Sequence, residues 1–252
     1  MRVRFRNTRL PPELVDAIID HLHNDKRSLA SCSLVCKDWR YSARYHLFAN
    51  LTLKPTKAND PSLLKSAPKV IPFIRHLLLD YRSLGIPGSW NVAFPHLVGF
   101  ESITSLALIF QSWDPIDRKA RIAIVKQFPR VVRLQLNRLL VNQFSEFAEF
   151  VCSFTCLETL IVDFAEWCII DCAATTLRLP PNLHSLALGS CEKEVLMGWL
   201  LSFNDALALR RIYLTPLKGP AIEGLTELLQ AVGPCLEAFG CTADDGMLLL
   251  LF

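Results

Sequence analysis

One repeated spacing constrains what this chain can fold into more than any other feature. The pattern apolar-x-x-apolar-x-apolar occurs seven times, and successive copies begin 26 to 29 residues apart. A single copy would mean little in a chain with 43 leucines among 252 residues, but seven at near-constant spacing indicate an internal repeat. The copies are Ile74-x-x-Leu77-x-Leu79, Ile103-x-x-Leu106-x-Leu108, Val131-x-x-Leu134-x-Leu136, Leu157-x-x-Leu160-x-Val162, Leu183-x-x-Leu186-x-Leu188, Leu209-x-x-Ile212-x-Leu214 and Leu236-x-x-Phe239-x-Cys241.

Each repeat unit has the pattern of a short strand followed by a helix. Apolar side chains at alternate positions place one side of a strand in a core. Between the strands, apolar residues recur at helical spacing in three sets: Phe144, Phe147, Ala148 and Val151; Val195, Trp199 and Phe203; Leu225, Leu228, Leu229 and Val232. One unit cannot bury its own apolar face, so the pattern predicts an α/β fold in which units stack into a curved solenoid.

These repeats resemble the leucine-rich repeat family over residues 74 to about 246. The resemblance implies a right-handed solenoid of about seven degenerate repeats, with parallel strands on the concave face and helices outside. The family's Asn or Cys at the ninth position of a repeat occurs here only as Cys191. The repeats are therefore degenerate, and the resemblance does not determine the geometry of their loops. The other equivalents are Arg82, Gln111, Leu139, Ala165, Leu217 and Asp244.

The first fifty residues differ in charge from the rest of the chain. They hold nine Lys and Arg against five Asp and Glu, whereas the remaining 202 residues hold eighteen against nineteen. Leu10-Pro-Pro-Glu-Leu14 predicts a helix start, because proline in the first turn loses no hydrogen bond and an early acid complements the helix dipole. We predict a second helix from Asp25 or Ser28 that carries Trp39, and a third over residues 42–48.

Two parts of this block resemble the F-box motif, and most closely the large fungal F-box group: Leu10-Pro-Pro-Glu-Leu14 with Ile18, and Ser33 to Arg40. The resemblance implies docking to the Skp-type adaptor of an SCF (cullin-RING) ubiquitin ligase, with a downstream domain that captures the substrate. An alternative is that the apolar residues only hold a three-helix bundle together. The implied adaptor-binding residues are Leu10, Pro11, Leu14, Ile18, Leu34, Val35, Cys36 and Trp39.

The predicted organisation is an F-box over residues 1–50, a Pro-rich connector over 51–73 with a helix near residues 62–67, and degenerate repeats over 74–252. The implied function is that of a substrate-recognition subunit of an SCF E3 ubiquitin ligase, which is not itself an enzyme. The alternative is a repeat scaffold without ligase function. An odd cysteine count and no visible export signal favour an intracellular location, in the cytoplasm or nucleus.

The residues between the core positions of each strand point to the concave face, where repeat proteins commonly bind their partners. Arg133, Asp163, Arg211 and Tyr213 are of the side-chain types that anchor interfaces. We therefore expect them to bind a protein substrate, whose identity the sequence leaves open. The alternative is that they are ordinary solvated strand residues.

The sequence lacks the motifs of a cofactor, a metal or a catalytic site. It contains no Cys-x-x-Cys pair, no P-loop and no G-x-S-x-G elbow. His21, His23, Cys32 and Cys36 are better explained as a helix end followed by two small thiols than as metal ligands. A net charge of +3 argues against a nucleic-acid partner, and the longest apolar run, Met247 to Phe252, is too short to span a membrane.

The same six-residue run follows the last repeat, where solenoids need a polar capping repeat. We therefore expect a truncated or unusual C-terminal end, and a risk of aggregation if the run is exposed.

Overall fold

The computed structural model describes residues 10–54, 69–80, 99–109, 113, 116–171, 177–203, 207–217, 221–243 and 248–251. The described helices are α1 (Pro12–His21), α2 (Lys26–Val35), α3 (Lys37–Phe48), α4 (Arg118–Gln127), α5 (Phe144–Cys152), α6 (Lys193–Leu201) and α7 (Ala221–Val232). The strands are β1 (Asn50–Leu53), β2 (His76–Asp80), β3 (Ser105–Ile109), β4 (Arg133–Gln143), β5 (Thr159–Ile169), β6 (Ser185–Leu188), β7 (Arg211–Leu217), β8 (Ala238–Ala243) and β9 (Leu248–Leu251). Short 3₁₀ turns lie at Ile71–Phe73 and Gly233–Cys235.

All nine strands form one sheet whose order follows the chain, and β1 to β8 are parallel. The predicted α/β fold is confirmed: three N-terminal helices precede stacked strand–helix units that resemble a leucine-rich-repeat solenoid. The seven predicted repeats supply strands β2 to β8, and their central apolar residues lie side by side in the sheet. This row consists of Leu77, Leu106, Leu134, Leu160, Leu186, Ile212 and Phe239.

One face of the sheet packs against helices α4 to α7 and forms a single core with them. Phe144 and Phe147 of α5 lie against Trp167 of β5, with ring centroids 5.1 Å and 4.8 Å apart, and against Trp199 of α6. Aromatic pairs at these distances add to the free energy gained by burying their area. The helical spacings predicted for α5, α6 and α7 therefore identify the side chains that join neighbouring repeats.

The sheet begins one strand before the first predicted repeat. Strand β1 pairs with β2 in the register Leu51↔Leu77 and Leu53↔Leu79. Its sequence signal is an eighth copy of the repeat pattern, Phe48-x-x-Leu51-x-Leu53, which begins 26 residues before Ile74 and which the prediction missed. The predicted helix over residues 62–67 lies outside the described residues, as do Arg82, Gln111 and Asp244.

Most of the C-terminal apolar run pairs with the last parallel strand. Strand β9, Leu248–Leu251, is antiparallel to β8, with Phe239 opposite Leu251 and Thr242 opposite Leu248. The backbone of this run is therefore engaged in the sheet, and β8 is not an open edge.

Strands β4 and β5 continue past the repeat pattern through a matched irregularity. Arg138 and Phe164 both adopt a left-handed backbone, with φ of 58° and 52°. They lie at corresponding positions, between the pairs Asn137↔Asp163 and Leu139↔Ala165. Ala165 also bridges to Cys191. The two repeats thus form a second short ladder at Leu139 and Ala165, the positions equivalent to the family's Asn.

Candidate functional site

The three N-terminal helices enclose a small core. Its fully buried residues are Val15, Ile19, Leu29, Cys32 and Ala43, with Leu22, Trp39 and Leu47 packed around them. A bundle of this size gains little stability from burial alone. Two polar contacts that the sequence analysis did not anticipate join α1 to α3. The Ser42 hydroxyl donates to Asp16, and His46 Nε2 lies 2.7 Å from Asp20 Oδ1.

Helix α1 and the residues that lead into it carry two groups of apolar side chains, which lie on adjacent faces of the helix about 100° apart. Pro11 lies at the N-cap, and its carbonyl oxygen accepts hydrogen bonds from the amides of Leu14 and Val15. The buried face carries the core residues Val15 and Ile19. On the adjacent face Leu14 and Ile18 are 52% and 42% exposed, and Leu10, which precedes the helix, is 49% exposed.

A second exposed apolar group lies where α2 meets α3. Leu34 and Val35 are 83% and 63% exposed, and Cys36 is exposed as well. Cys36 has extended backbone angles, so it ends α2 and starts α3 without glycine or proline. The prediction that Trp39 lies on the second helix was therefore wrong: Trp39 lies in the first turn of α3, half-buried against the small core.

The start of α2 is capped as its sequence predicted. Asp25 accepts hydrogen bonds from the amides of Arg27 and Ser28, and from the Ser28 hydroxyl at 2.6 Å. The Ser28 hydroxyl and amide hold the pKa of Asp25 below its usual value. This cap fixes where α2 begins, and hence where Leu34 and Val35 emerge from its last turn.

Helix α3 packs onto the beginning of the sheet. Tyr41 makes an edge-on contact with Phe73, with ring centroids 5.3 Å apart. The Arg75 guanidinium lies 5.6 Å from the centroid of the Tyr45 ring. Only Ala49 separates α3 from β1, so the helices and the sheet are joined both by packing and by a very short connection.

The face of the sheet opposite the helices is called the open face here, and it carries the residues at the first, third and fifth positions of each strand. Arg133 and Arg211 are exposed first-position residues of β4 and β7, and Tyr213, two residues beyond Arg211, is 42% exposed. Three of the four predicted substrate-binding residues are therefore accessible on one face.

The fourth, Asp163, is engaged within the sheet. Its Oδ1 accepts a hydrogen bond from the amide of Ser190 at 2.9 Å, and its carboxylate lies directly over Gly189. Asp163 therefore holds β5 to the end of β6. Asp80, another acid of this face, is buried, and its Oδ2 lies 3.8 Å from Lys54 Nζ.

A cavity of about 560 Å³ lies beyond the open face, where the second ladder of β5 meets the start of α6. Trp167, Cys191 and Lys193 line part of it, and Lys193 Nζ donates to the carbonyl oxygen of Gly189 at 2.5 Å. Burial raises the pKa of the Cys191 thiol to about 12, as it does for Cys152. Both thiols are thus protonated at neutral pH and are poor nucleophiles.

Within the described ranges, no group of three or more His, Cys, Asp or Glu side chains is placed to hold a metal ion. No helix among the described residues is long and apolar enough to cross a lipid bilayer.

The three helices and β1 coincide with a known domain. Residues 8–54 match the family model of the F-box-like domain. The N-terminal part of the chain is therefore an F-box-like domain, and the match extends through the strand that begins the sheet. F-box domains generally bind Skp-type adaptors, so an F-box-like domain on a repeat fold suggests an adaptor-binding protein. Both kinds of module are typically non-enzymatic.

Among solved structures, the chain is similar to the leucine-rich repeat-containing protein LegL7 from Legionella pneumophila. The sequences are 18% identical, the match covers 82% of this chain and 71% of LegL7, and the TM-score is 0.43. No curated protein sequence matches this chain.

Proposed function

We propose that this protein is the substrate-recognition subunit of an SCF-type ubiquitin ligase. In this proposal the F-box-like domain docks the Skp-type adaptor, the adaptor joins it to the cullin-RING ligase, and the repeats hold a protein substrate. The ubiquitin-transfer chemistry belongs to other subunits, and the protein acts inside the cell.

The observation that carries the proposal is the exposure of the apolar residues that the F-box resemblance implicates. Of the eight, seven are exposed, and only Trp39 packs partly into the core. Apolar side chains at the surface of a monomer mark interaction sites when they cluster. The bundle fills its core with other residues, so its own folding does not explain why these seven are apolar.

Two exposed groups supply the proposed contact: Leu10, Leu14 and Ile18 along α1, and Leu34 with Val35 at the end of α2. Burying one leucine completely is worth about 1.5–3 kcal/mol by area. A few such anchors dominate the binding energy of most interfaces, so these two groups would suffice for a stable complex.

The proposal also gives the connection between domains a role. Tyr41 and Tyr45 of α3 contact Phe73 and Arg75 at the start of the sheet. A substrate on the open face would therefore be held in a defined position relative to the adaptor.

The test is binding of the purified full chain to a Skp-type adaptor, with variants chosen at exposed positions so that folding is unaffected. Leu34→Asp combined with Val35→Asp places two charges in the proposed interface. The matched control is Ile122→Asp with Ile222→Asp, because Ile122 and Ile222 are 47% and 55% exposed on repeat helices.

We expect wild type and control to bind the adaptor, and the Leu34/Val35 variant to lose binding by at least about a hundredfold. Leu10→Ala with Pro11→Ala should act in the same direction. If wild type does not bind, or all variants bind equally, the proposal fails and the repeat-scaffold alternative is favoured.

A further inference from the structure

The first residues of the eight parallel strands form a continuous row across the open face. The row carries two arginines and a histidine and no acidic side chain. It consists of Asn50, His76, Ser105, Arg133, Thr159, Ser185, Arg211 and Ala238.

The charge of this face is not compensated from within. Among the described residues, the side chains of Arg133 and Arg211 make no hydrogen bond or ion pair, whereas Asp80 and Asp163 both have internal partners. Burial, together with the charges of Arg133 and Arg75, lowers the pKa of His76 below its usual value. The local field is therefore positive, and it suits an anionic partner.

An apolar slot lies on the open face between strands β4 and β7, in the neighbouring row that the third strand positions form. The third strand positions place Ile161 beside Ala187 and Ala187 beside Tyr213, so a small side chain stands between two large ones. Adjacent strands are about 4.8 Å apart, which leaves room over Ala187 for one apolar side chain. Tyr213 is 42% exposed and forms one wall of this slot.

We propose that the open face binds an acidic segment of a protein in an extended conformation that crosses the strands. Two of its carboxylates pair with Arg133 and Arg211, and an apolar side chain between them occupies the slot over Ala187. This inference rests on the proposed function only in taking the repeats as the substrate-binding part, and it names the chemical class of the substrate.

The spacing of the arginines sets the pattern of the segment. Strands β4 and β7 are three strand spacings apart, or about 14 Å. An extended chain covers this distance in about four residues, and alternate side chains point the same way. The segment therefore carries acids four residues apart. The slot over Ala187 lies two strand spacings from β4 and one from β7, so the apolar residue at i+2 is the one nearest to it on that side of the extended chain. Arginine pairs well with carboxylates because its planar fork binds both oxygens.

The test begins with random twelve-residue peptides displayed on phage and selected on the immobilised full chain. We expect selected peptides to be enriched in Asp or Glu at positions i and i+4 and in apolar residues at i+2. A synthetic peptide with the core Glu-Ser-Leu-Ser-Glu should then bind in solution, and the same composition ordered Glu-Glu-Ser-Ser-Leu should bind more weakly.

Arg133→Glu with Arg211→Glu should weaken binding of the Glu-Ser-Leu-Ser-Glu peptide at least about tenfold. The matched control is Lys119→Glu with Lys126→Glu, which changes the net charge equally on exposed positions of α4 and should leave the affinity unchanged. If the double reversal does not fold, Arg133→Gln with Arg211→Gln should weaken binding in the same direction.

The proposal is overturned if selection enriches neutral or basic peptides, if control and test variants lose affinity equally, or if a twelve-nucleotide poly-uridine RNA binds more tightly than the peptide. Adaptor binding is measured on the same variants. If wild type binds the adaptor but does not prefer acidic peptides, only this inference is contradicted. If wild type does not bind the adaptor, the proposed function is contradicted.

Discussion

Gly189 shows how closely one residue of the sheet depends on another. A Cβ added there would lie 2.0 Å from Oδ1 and 2.6 Å from Cγ of Asp163. The carboxylate occupies that space because it accepts the Ser190 amide. A glycine is therefore required by close approach of a side chain, and not by its own backbone angles.

We predict that Gly189→Ala lowers the free energy of unfolding by about 1–3 kcal/mol, because Asp163 must move and leave a polar group without its partner. Urea denaturation measures the change. Gly198→Ala is the matched control: apart from its chain neighbours and the backbone of its own helix, nothing lies within 4 Å of its added Cβ, and alanine within a helix should stabilise by about 0.5–1 kcal/mol.

The coupling to Asp163 is tested by the double variant Gly189→Ala/Asp163→Ala. Its stability should differ little from that of Asp163→Ala alone, because the obstructing carboxylate is gone. Simple additivity of the two changes would contradict this explanation.

His76 reports the positive charge of the open face. Its pKa lies below 6.5 because of burial and, next, because of Arg133 and Arg75. The folded state therefore binds fewer protons at this site than the unfolded state, so stability falls as the pH drops below 6.5.

We predict that Arg133→Gln raises the pKa of His76 towards 6.5, because one of the nearby positive charges is removed. NMR titration of the histidine ring protons measures the shift. Lys119→Gln, on helix α4, should leave the pKa of His76 unchanged, and equal effects of the two substitutions would contradict a local field.

At the level of elements, a residue that follows strand β5 caps helix α5, which belongs to the repeat before it. Helix α5 begins after Gln143, whose side chain makes no capping hydrogen bond. Instead Asp171, which follows β5, accepts hydrogen bonds from the Ser145 amide at 2.9 Å and from the Ser145 hydroxyl at 2.5 Å. The Ser145 hydroxyl is the main cause of the lowered pKa of Asp171.

We predict that Asp171→Asn destabilises the protein by about 0.5–1 kcal/mol at pH 7, as expected for a helix cap. A carboxyl with a lowered folded pKa stabilises above its unfolded pKa of 3.8 and loses this contribution as the pH falls through the folded value. The difference between wild type and variant should thus shrink in thermal unfolding scans as the pH is lowered below 3.8. A difference of unchanged size at low pH would rule out a contribution of the Asp171 charge to the cap.

The repeat elements could be predicted from the sequence because their signal is local and recurs. Leu106, Leu134 and Leu160 each occupy the same place in a copy of the pattern, and each lies in the predicted strand. The exposure of Leu34 and Val35 could also be predicted, because both belong to the F-box resemblance and the core of the small bundle does not need them.

The missed features depend on contacts between distant residues or on backbone conformations without a residue signature. The cap from Asp171 to Ser145 spans 26 residues. Arg138 and Phe164 adopt a left-handed backbone that glycine normally marks. The position of Asp163 in the alternating strand pattern predicts a solvent-facing side chain. The contact of its carboxylate with Gly189 follows only from the pairing of β5 with β6.

At the scale of the whole molecule, the account joins two surfaces. In the proposed arrangement the exposed apolar residues of the F-box-like domain bind an adaptor, and the positively charged open face binds an acidic segment of a substrate. The packing of α3 on the start of the sheet joins the two.

Hydrogen–deuterium exchange of the full chain, alone and with a saturating Skp-type adaptor, tests whether the F-box-like domain docks the adaptor through its exposed apolar residues. We expect slower exchange in peptides that cover residues 10–18 and 34–39, with amides in β4 to β7 unchanged. Unchanged exchange in the two N-terminal segments, or protection confined to the repeats, would contradict it.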